Sequence, residues 1–467
     1  MSKNGATTLR QSGNVSHWTR EMASKIAQTP ENTFPRFETA KVKTILDGYD
    51  VWDSWFVLNE QNEVADVMGF KVLVGLAREH NDPEPANARI MYFYSEDGVH
   101  YKAGGLLFGE QRLFADCQEW SGSTILRNDG QLQSFYTIAT GYQAYGNWQT
   151  MQRFATAIQE LSLSSSTSEE EVKAGVEPVI TGLVAHKPHY HDIIAQPDGR
   201  LYETAEQAAF KESILPTMHR ASVGSDQTEN TCFRDPHFFH DKATGRKFLV
   251  FEANTGPECH QDGVVLRDYI GSKGFEDNYR PTTDALKANG CVGILELTNE
   301  EYTYGVFQKP WLTANLVTDE IERINIVEHQ GHLYLFVVGH GNKNAMNAEN
   351  SDLVNLDYML GFRADRFKGK LTPLNESGVV VCQKSGGVAY GGQAENEQYV
   401  YSWLMVPTGT PGVFDCTSYS NYSTTKEGKL EPIKSAGPTV VVELNGLKSR
   451  IVSLKYDILP VVEAPVA

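Results

Sequence analysis

Again and again along this chain, an aromatic or β-branched run meets a tight turn and is answered by a second such run. IMYFYSEDGVHYKAGG turns near Asp97-Gly98, STILRNDGQLQSFYTI at Asp129-Gly130 and HDIIAQPDGRLYET at Asp198-Gly199. PHFFHDKATGRKFLVFEA turns at Gly245, INIVEHQGHLYLFVVG at Gly331 and STTKEGKLEPI at Gly428. Asp-Gly and similar pairs supply the positive φ that a short hairpin needs. Repeated hairpins at irregular intervals predict an all-β fold of antiparallel sheets interrupted by long loops. A β-propeller is the favoured architecture, because radial packing of small sheets protects their edges and leaves a central funnel. The turns follow no fixed period, so the number of blades cannot be read from them. On pattern alone a sandwich or a two-domain β protein stays open.

Helical content is small. Ser16–Gln28 reads as a short amphipathic helix opening at Ser16, and residues 1–45 as an N-terminal extension packed on the propeller. Ser164–Gly175, polar and acidic around Glu169–Glu171, reads as a solvated loop or helix start. Asn342–Asn355 reads as an irregular loop. No Pro- or Gly-rich linker divides the chain, which predicts one catalytic domain over residues 1–467.

Composition narrows the function classes. The formal net charge is −18, with 41 Lys and Arg against 59 Asp and Glu. Nucleic acid and anionic membrane surfaces would repel such a chain. No apolar run reaches the length of a membrane span; the longest, around Phe70–Ala77, is strand-sized. The first residues lack the apolar core of a secretory signal. Six cysteines (Cys117, Cys232, Cys259, Cys291, Cys382 and Cys416) show no metal-ligand spacing. They read as buried free thiols with room for one disulfide, and no metal site is predicted.

Three acidic segments carry the chemistry: VWDSW around Asp53, FRDP around Asp235 and TDEIER around Glu322. Cleaving a glycosidic bond takes two flanking carboxyl groups, one as nucleophile and one as acid/base. A third can orient sugar hydroxyls while positive charge builds on the ring. Each segment alone has a plainer reading: Asp53 capping a turn, Arg234 and Asp235 as a structural ion pair, Glu320 and Glu322 on a charged edge. On a strand, residues two apart face the same way, so Glu320 would raise the pKa of Glu322 and help it hold a proton for donation. Asp235 stands directly before the hairpin at Gly245 and Glu322 before the one at Gly331. Trp120-Ser121 precedes the hairpin at Gly130, and Asp53 precedes Phe70–Ala77. Equivalent starts of successive sheets would meet at one end of a funnel.

Taken together, and with EWSGS (Glu119–Ser123), FEANTG (Phe251–Gly256) and YSW (Tyr401–Trp403), these segments resemble the glycoside hydrolase family of levansucrases, inulosucrases and bacterial β-fructofuranosidases that act on sucrose. The resemblance runs from about Val51 to about Tyr401. It implies a five-bladed propeller with a central funnel-shaped active site. It also implies that Asp53 attacks the anomeric carbon of the fructosyl unit, that Glu322 is the acid/base, and that Asp235 stabilises the oxocarbenium-like transition state. Trp52, Trp120, Ser121 and Arg234 would shape the sucrose pocket, with Glu252, Glu320 and Arg323 supporting it and Tyr401 joining it. The scheme is a retaining double displacement, with nucleophile and acid/base carboxyls about 5–5.5 Å apart, and the fructosyl ester divides one hard substitution into two.

The implied partners are sucrose and sugar acceptors, with no organic cofactor. FVVGHGNKN puts His340 where relatives from Gram-positive bacteria commonly carry an arginine that contacts the leaving or accepting sugar; histidine there is similar to the Gram-negative pattern. A neutral imidazole offers one donor and one acceptor where a guanidinium offers five donors, which predicts looser acceptor holding. Some members of the family hold a structural calcium ion. Asp319 matches one ligand of that site, whereas Glu229 and Glu258–Asp262 match the others imperfectly, so calcium is not predicted. The expected protein is a secreted fructosyltransferase of levansucrase type, a monomer or weak oligomer. β-Fructofuranosidase and inulosucrase activities remain alternatives, as does a non-catalytic sugar-binding propeller.

Overall fold

The computed structural model describes residues 15–82, 87–110, 112–215, 231–260, 266–280, 282–346, 350–384 and 397–460. Five antiparallel four-stranded meanders, blades I to V, follow one another along the chain. Blade I comprises Tyr49–Phe56, Lys71–Glu79, Arg89–Ser95 and His100–Leu106, and blade II Gln118–Leu126, Leu132–Ala144, Asn147–Gln159 and Tyr190–Ala195. Blade III comprises Phe233–Asp241, Arg246–Asn254, Gly290–Leu297 and Gly305–Thr313. Blade IV comprises Glu322–His329, His332–Gly339, Leu356–Ala364 and Val379–Lys384, and blade V Val400–Pro407, Val413–Ser420, Thr439–Asn445 and Lys448–Lys455. The first strand of each blade is its innermost, and these five touch in a closed ring, I to II to III to IV to V and back to I. This is the five-bladed propeller that the resemblance implied.

The core lies between blades. Trp55, Val74 and Tyr92 of blade I pack against Tyr136 and Ala155 of blade II, while Phe135 and Phe154 on the other face of blade II meet Phe233 and Phe251 of blade III. Equivalent layers fill the III–IV, IV–V and V–I junctions. A sheet buried on both faces needs apolar side chains at successive positions, which is why the central strands, such as FLVF at Phe248–Phe251, read as continuous apolar runs.

The chain before blade I straps the outside of the ring. Ser16–His17 pairs in parallel with the outer strand of blade III, Thr33 bridges Cys382 of blade IV, and Lys43 bridges Thr424 beside blade V. At the other end Leu459–Pro460 adds a parallel strand to the outer edge of blade I. The helix expected over Ser16–Gln28 shrinks to Arg20–Ala23, capped by the Thr19 hydroxyl, which accepts from the Met22 amide at 3.2 Å. Edge pairing takes Ser16 and His17, and Trp18 and Arg20 are fully buried against the blades, so the segment cannot continue as a surface helix.

A second expectation also fails. HDIIAQPDGRLYET is no hairpin: Tyr190–Ala195 is the outer strand of blade II, and after the turn at Gly199 the chain enters the helix Ala205–Ile214. Thr204 and Gln207 form a capping box there, so the chain enters a helix before a second strand can form. Glu169–Lys173 is a single exposed helical turn capped by Ser168; the loop expected at 342–355 ends in the 3-10 turn Ser351–Asn355, and another, Gly341–Lys343, overlaps its start. All six cysteines are buried and free.

Candidate active site

Each inner strand carries one residue too many at the same end. In blade I, Val51 pairs with Ala77 and Ser54 with Gly75, so three steps on one strand face two on the other. The same surplus falls between Trp120 and Gly122, Arg234 and His237, Glu322 and Asn325, and Tyr401 and Leu404. A β-bulge kinks its strand and re-aims side chains. Five equivalent bulges therefore bring Trp52 and Asp53, Ser121, Asp235, Arg323 and Ser402 to one end of the propeller axis. Asp235, Arg323 and Ser402 adopt left-handed φ values of 57°, 53° and 62°. Such backbone costs non-glycine residues about 1–3 kcal/mol each, so contacts must hold it. The Asp235 amide donates to Thr137 Oγ1 at 3.0 Å, and the Asp235 carboxylate accepts from the Arg323 amide at 3.0 Å and from the Ser121 hydroxyl.

Arg234 ties blades III and IV together. Its Nε donates to Glu252 Oε2 at 2.7 Å, and its Nη2 to Glu322 Oε1 at 2.9 Å and Glu320 Oε2 at 3.3 Å. Glu252 Oε1 also accepts from the Ile321 amide at 3.0 Å, which fixes the approach to Glu322. On its other side Glu322 Oε2 accepts from the Tyr401 hydroxyl of blade V at 2.7 Å. Arg323 reaches back to blade I, donating from Nη2 to the Ser54 carbonyl at 2.6 Å, and its charge acts on Asp53. Trp120 lies 6.0 Å from the Arg234 guanidinium, and the ring of Trp52 lies 5.6 Å from Lys434 Nζ.

The acids differ in what holds their protons. Burial pushes Glu322 up, the nearby Glu320 pushes it further, and Arg234 and His340 offset only part, leaving it at about 7. Glu320 raises Glu322 as expected from sequence, but from the approach to the strand Glu322–His329 and not from a shared strand face. Burial also raises Asp53, with Asp235 adding to it, while Arg323, the Ser402 hydroxyl and Lys434 act the other way. Glu252 is pushed well up, first by burial.

His340 departs from expectation. It stacks on Tyr401, with ring centroids 4.0 Å apart at 11°, and its Nδ1 lies 3.0 Å from Asp357 Oδ1. Burial works against its charge, but Asp357, Glu320 and Glu322 outweigh it and lift the imidazole to about 9. It is therefore a cation at neutral pH. The neutral ring predicted above, with one donor and one acceptor, is corrected by this acidic surrounding.

The residues assigned to catalysis and to the sucrose pocket from sequence all lie in or beside this network. Sequence reasoning missed Lys434 of the closing blade, whose charge acts on Asp53, and Tyr419, whose hydroxyl feels the Asp53 charge; it also missed Asp357 and Tyr399 behind His340, where the Tyr399 hydroxyl donates to Asp357 Oδ2 at 2.8 Å. Ser402 sat unremarked inside the YSW string. Nothing local marks Lys434, which follows an ordinary turn segment.

Among the described residues one trio, Glu320, Glu322 and His340, brings possible metal ligands within 4.8 Å of one another. The Arg234 guanidinium sits on both of its carboxylates, so charge neutralisation there is already supplied by an arginine. Of the calcium-ligand matches, Asp319 is buried beside Glu320 and Glu258 is paired with Arg200 at 2.7 Å; Glu229, Gln261 and Asp262 lie outside the described residues.

A propeller whose inner strands deliver opposed carboxylates, arginines and aromatic rings to one end of its axis is a carbohydrate-processing scaffold. Residues 8–458 match the family model described as Levansucrase/Invertase, and the chain belongs to that family. It is 30% identical to the levansucrase of Bacillus amyloliquefaciens, over 96% of this chain and 91% of that protein. It is 25% identical to the levansucrase of Erwinia amylovora, over 95% and 96% of the two chains. The crystal structure of Bacillus subtilis levansucrase superimposes with a TM-score of 0.75 at 27% identity, covering 96% of this chain and 97% of that one.

Proposed function

We propose that this protein is a sucrose-dependent fructosyltransferase of levansucrase type, working by double displacement with retention. Asp53 attacks the anomeric carbon of the fructosyl unit while protonated Glu322 gives its proton to the departing glucose oxygen. The products of this step are glucose and a fructosyl ester on Asp53. Glu322, now a carboxylate, takes the proton of an incoming hydroxyl as that oxygen attacks the ester and frees Asp53. Water yields fructose; a sugar yields a longer fructoside.

Asp235 accepts hydrogen bonds from fructose hydroxyls and opposes the positive charge that builds on the ring. Arg234, with Glu252 and Glu320 around it, keeps Glu322 aimed. Trp52, Trp120 and Ser121 wall the pocket, and Tyr401 and His340 flank Glu322 on the acceptor side. These steps use side chains alone and need no organic cofactor.

The observation that carries the reading is the environment of Glu322. A carboxyl at about 7, held between an arginine and a tyrosine hydroxyl, can both give and take a proton near neutrality. The family's sugar is met outside the cell, so we place the protein there, as a monomer or weak oligomer formed by one unit spanning residues 1–467. No described helix is long and apolar enough to cross a membrane.

Incubation with concentrated sucrose tests the reading. Glucose should exceed free fructose, and the excess should widen as sucrose rises, because a bound sugar then competes with water for the ester. Equal release at every concentration would make the protein a hydrolase, and no release a binding module.

A further inference from the structure

We propose that the long central hairpin of blade II is a binding platform for fructan chains, outside the funnel and continuous with it; the inference rests on the transferase reading above. Its strands, Leu132–Ala144 and Asn147–Gln159, are 13 residues each, where the two central strands of every other blade run 7 to 9. The surplus all lies at the site end. Gln118, the first residue of the inner strand, pairs with Ala139, and Ala139 with Gln152, so the segment from Thr140 to Met151 stands beyond the sheet. Trp120, which lies by Arg234, is two residues from Gln118 on that neighbouring strand, so the ridge rises from the funnel's rim.

The ridge gathers exposed aromatic rings. Tyr145 is 55% exposed, Trp148 40%, Phe210 49% and Phe114 38%. Phe210, from the helix Ala205–Ile214, sets its ring 5.4 Å from that of Tyr145, and Phe114 lies under the Arg153 guanidinium at 5.5 Å. Among the described residues Tyr304 is the one other aromatic so exposed.

An exposed ring costs solubility unless something covers it, and a sugar suits it, since C–H bonds on one face of the ring meet the π cloud while hydroxyls at the rim stay in water. Trp148 is set up for such contact. Its indole lies against the strand at Gly141, where a Cβ would come 3.4 Å from Nε1, and it faces Gln143 across the hairpin. Gln143 is exposed and offers an amide to hydroxyls. Separate rings with an amide between them, strung along a ridge, fit a chain of repeating sugars better than a flat protein face. A fructan growing from the ester at Asp53 leaves by the rim, so a hold on its distal units keeps its end near the ester by raising its local concentration.

Binding of a β-2,6 and a β-2,1 oligofructoside to the whole protein, with a malto-oligosaccharide as control, tests this. Trp148→Ala and Tyr145→Ala should each weaken oligofructoside binding, and together by about ten-fold or more, which is about 1.4 kcal/mol. Trp148→Phe should keep most of it. Glucose release at low sucrose should stay within about two-fold of wild type while products shorten, because the ridge touches the acceptor and not the reacting bond. Unchanged binding and product length in the double variant, with sucrose turnover intact, would overturn the platform and leave the transferase reading standing. Equal binding of the malto-oligosaccharide would overturn the assignment to fructans. A wild type that binds oligofructosides through Trp148 yet turns over no sucrose would support the platform and refute the activity.

Discussion

Glu322 sets the pH dependence of the reaction. It must begin protonated, and its carboxyl, raised mainly by burial and by Glu320, titrates at about 7. The rate of glucose release, as kcat/KM, should therefore fall as pH rises through about 7. Two neighbours move that limb in opposite directions. Glu320→Gln removes a negative charge, so the proton leaves more easily and the limb shifts to lower pH. Tyr401→Phe removes a donor that favours the carboxylate, at 2.7 Å, and shifts the limb to higher pH. Profiles of kcat/KM against pH for the two variants decide it; movement of both in one direction would contradict the charge balance drawn around Glu322.

At the scale of the strand, the site rests on one extra residue per inner strand. Ser402 illustrates what that demands, since its φ of 62° suits glycine and punishes branching at Cβ. Ser402→Val should destabilise the protein by about 1–3 kcal/mol, with Ser402→Gly far milder, both read from urea unfolding midpoints. Equal losses would place the strain elsewhere. Apart from the one expected at Gly199, the predicted hairpins were legible, because Asp-Gly turns and β-branched runs leave a local trace, and the starts of those at Gly245 and Gly331 marked where Asp235 and Glu322 would meet. The bulges were not, since an inserted residue looks like the next step of an alternating strand. The charge on His340 was hidden for a related reason: it depends on Asp357, a residue of another strand with no tie to it in sequence. Over Ser16–Gln28 the amphipathic pattern was real, but it served to bury Trp18 and Arg20 beneath the blades rather than to float a helix on them.

For the molecule as a whole, closing the ring is what gives remote residues a common cavity. Among the described residues blade V is built from one continuous stretch with no N-terminal strand in it, and the straps across blades III, IV and V and from V to I tie the ring together. Trp18 anchors the first strap, fully buried with its Nε1 donating to the Ser377 carbonyl at 2.9 Å. Trp18→Ala should cost about 3–5 kcal/mol and lower the thermal midpoint while leaving residual activity at low temperature; an unchanged midpoint would mean the strap is passive. The ring's consequence for chemistry is that Asp53 of blade I and Glu322 of blade IV serve one bond. Rapid acid quenching of the protein during sucrose turnover, followed by peptide mass analysis, tests that claim most directly. One fructosyl unit should appear on the peptide containing Asp53 and vanish in Asp53→Asn, whereas an adduct on any other carboxylate, or one persisting in that variant, would contradict it.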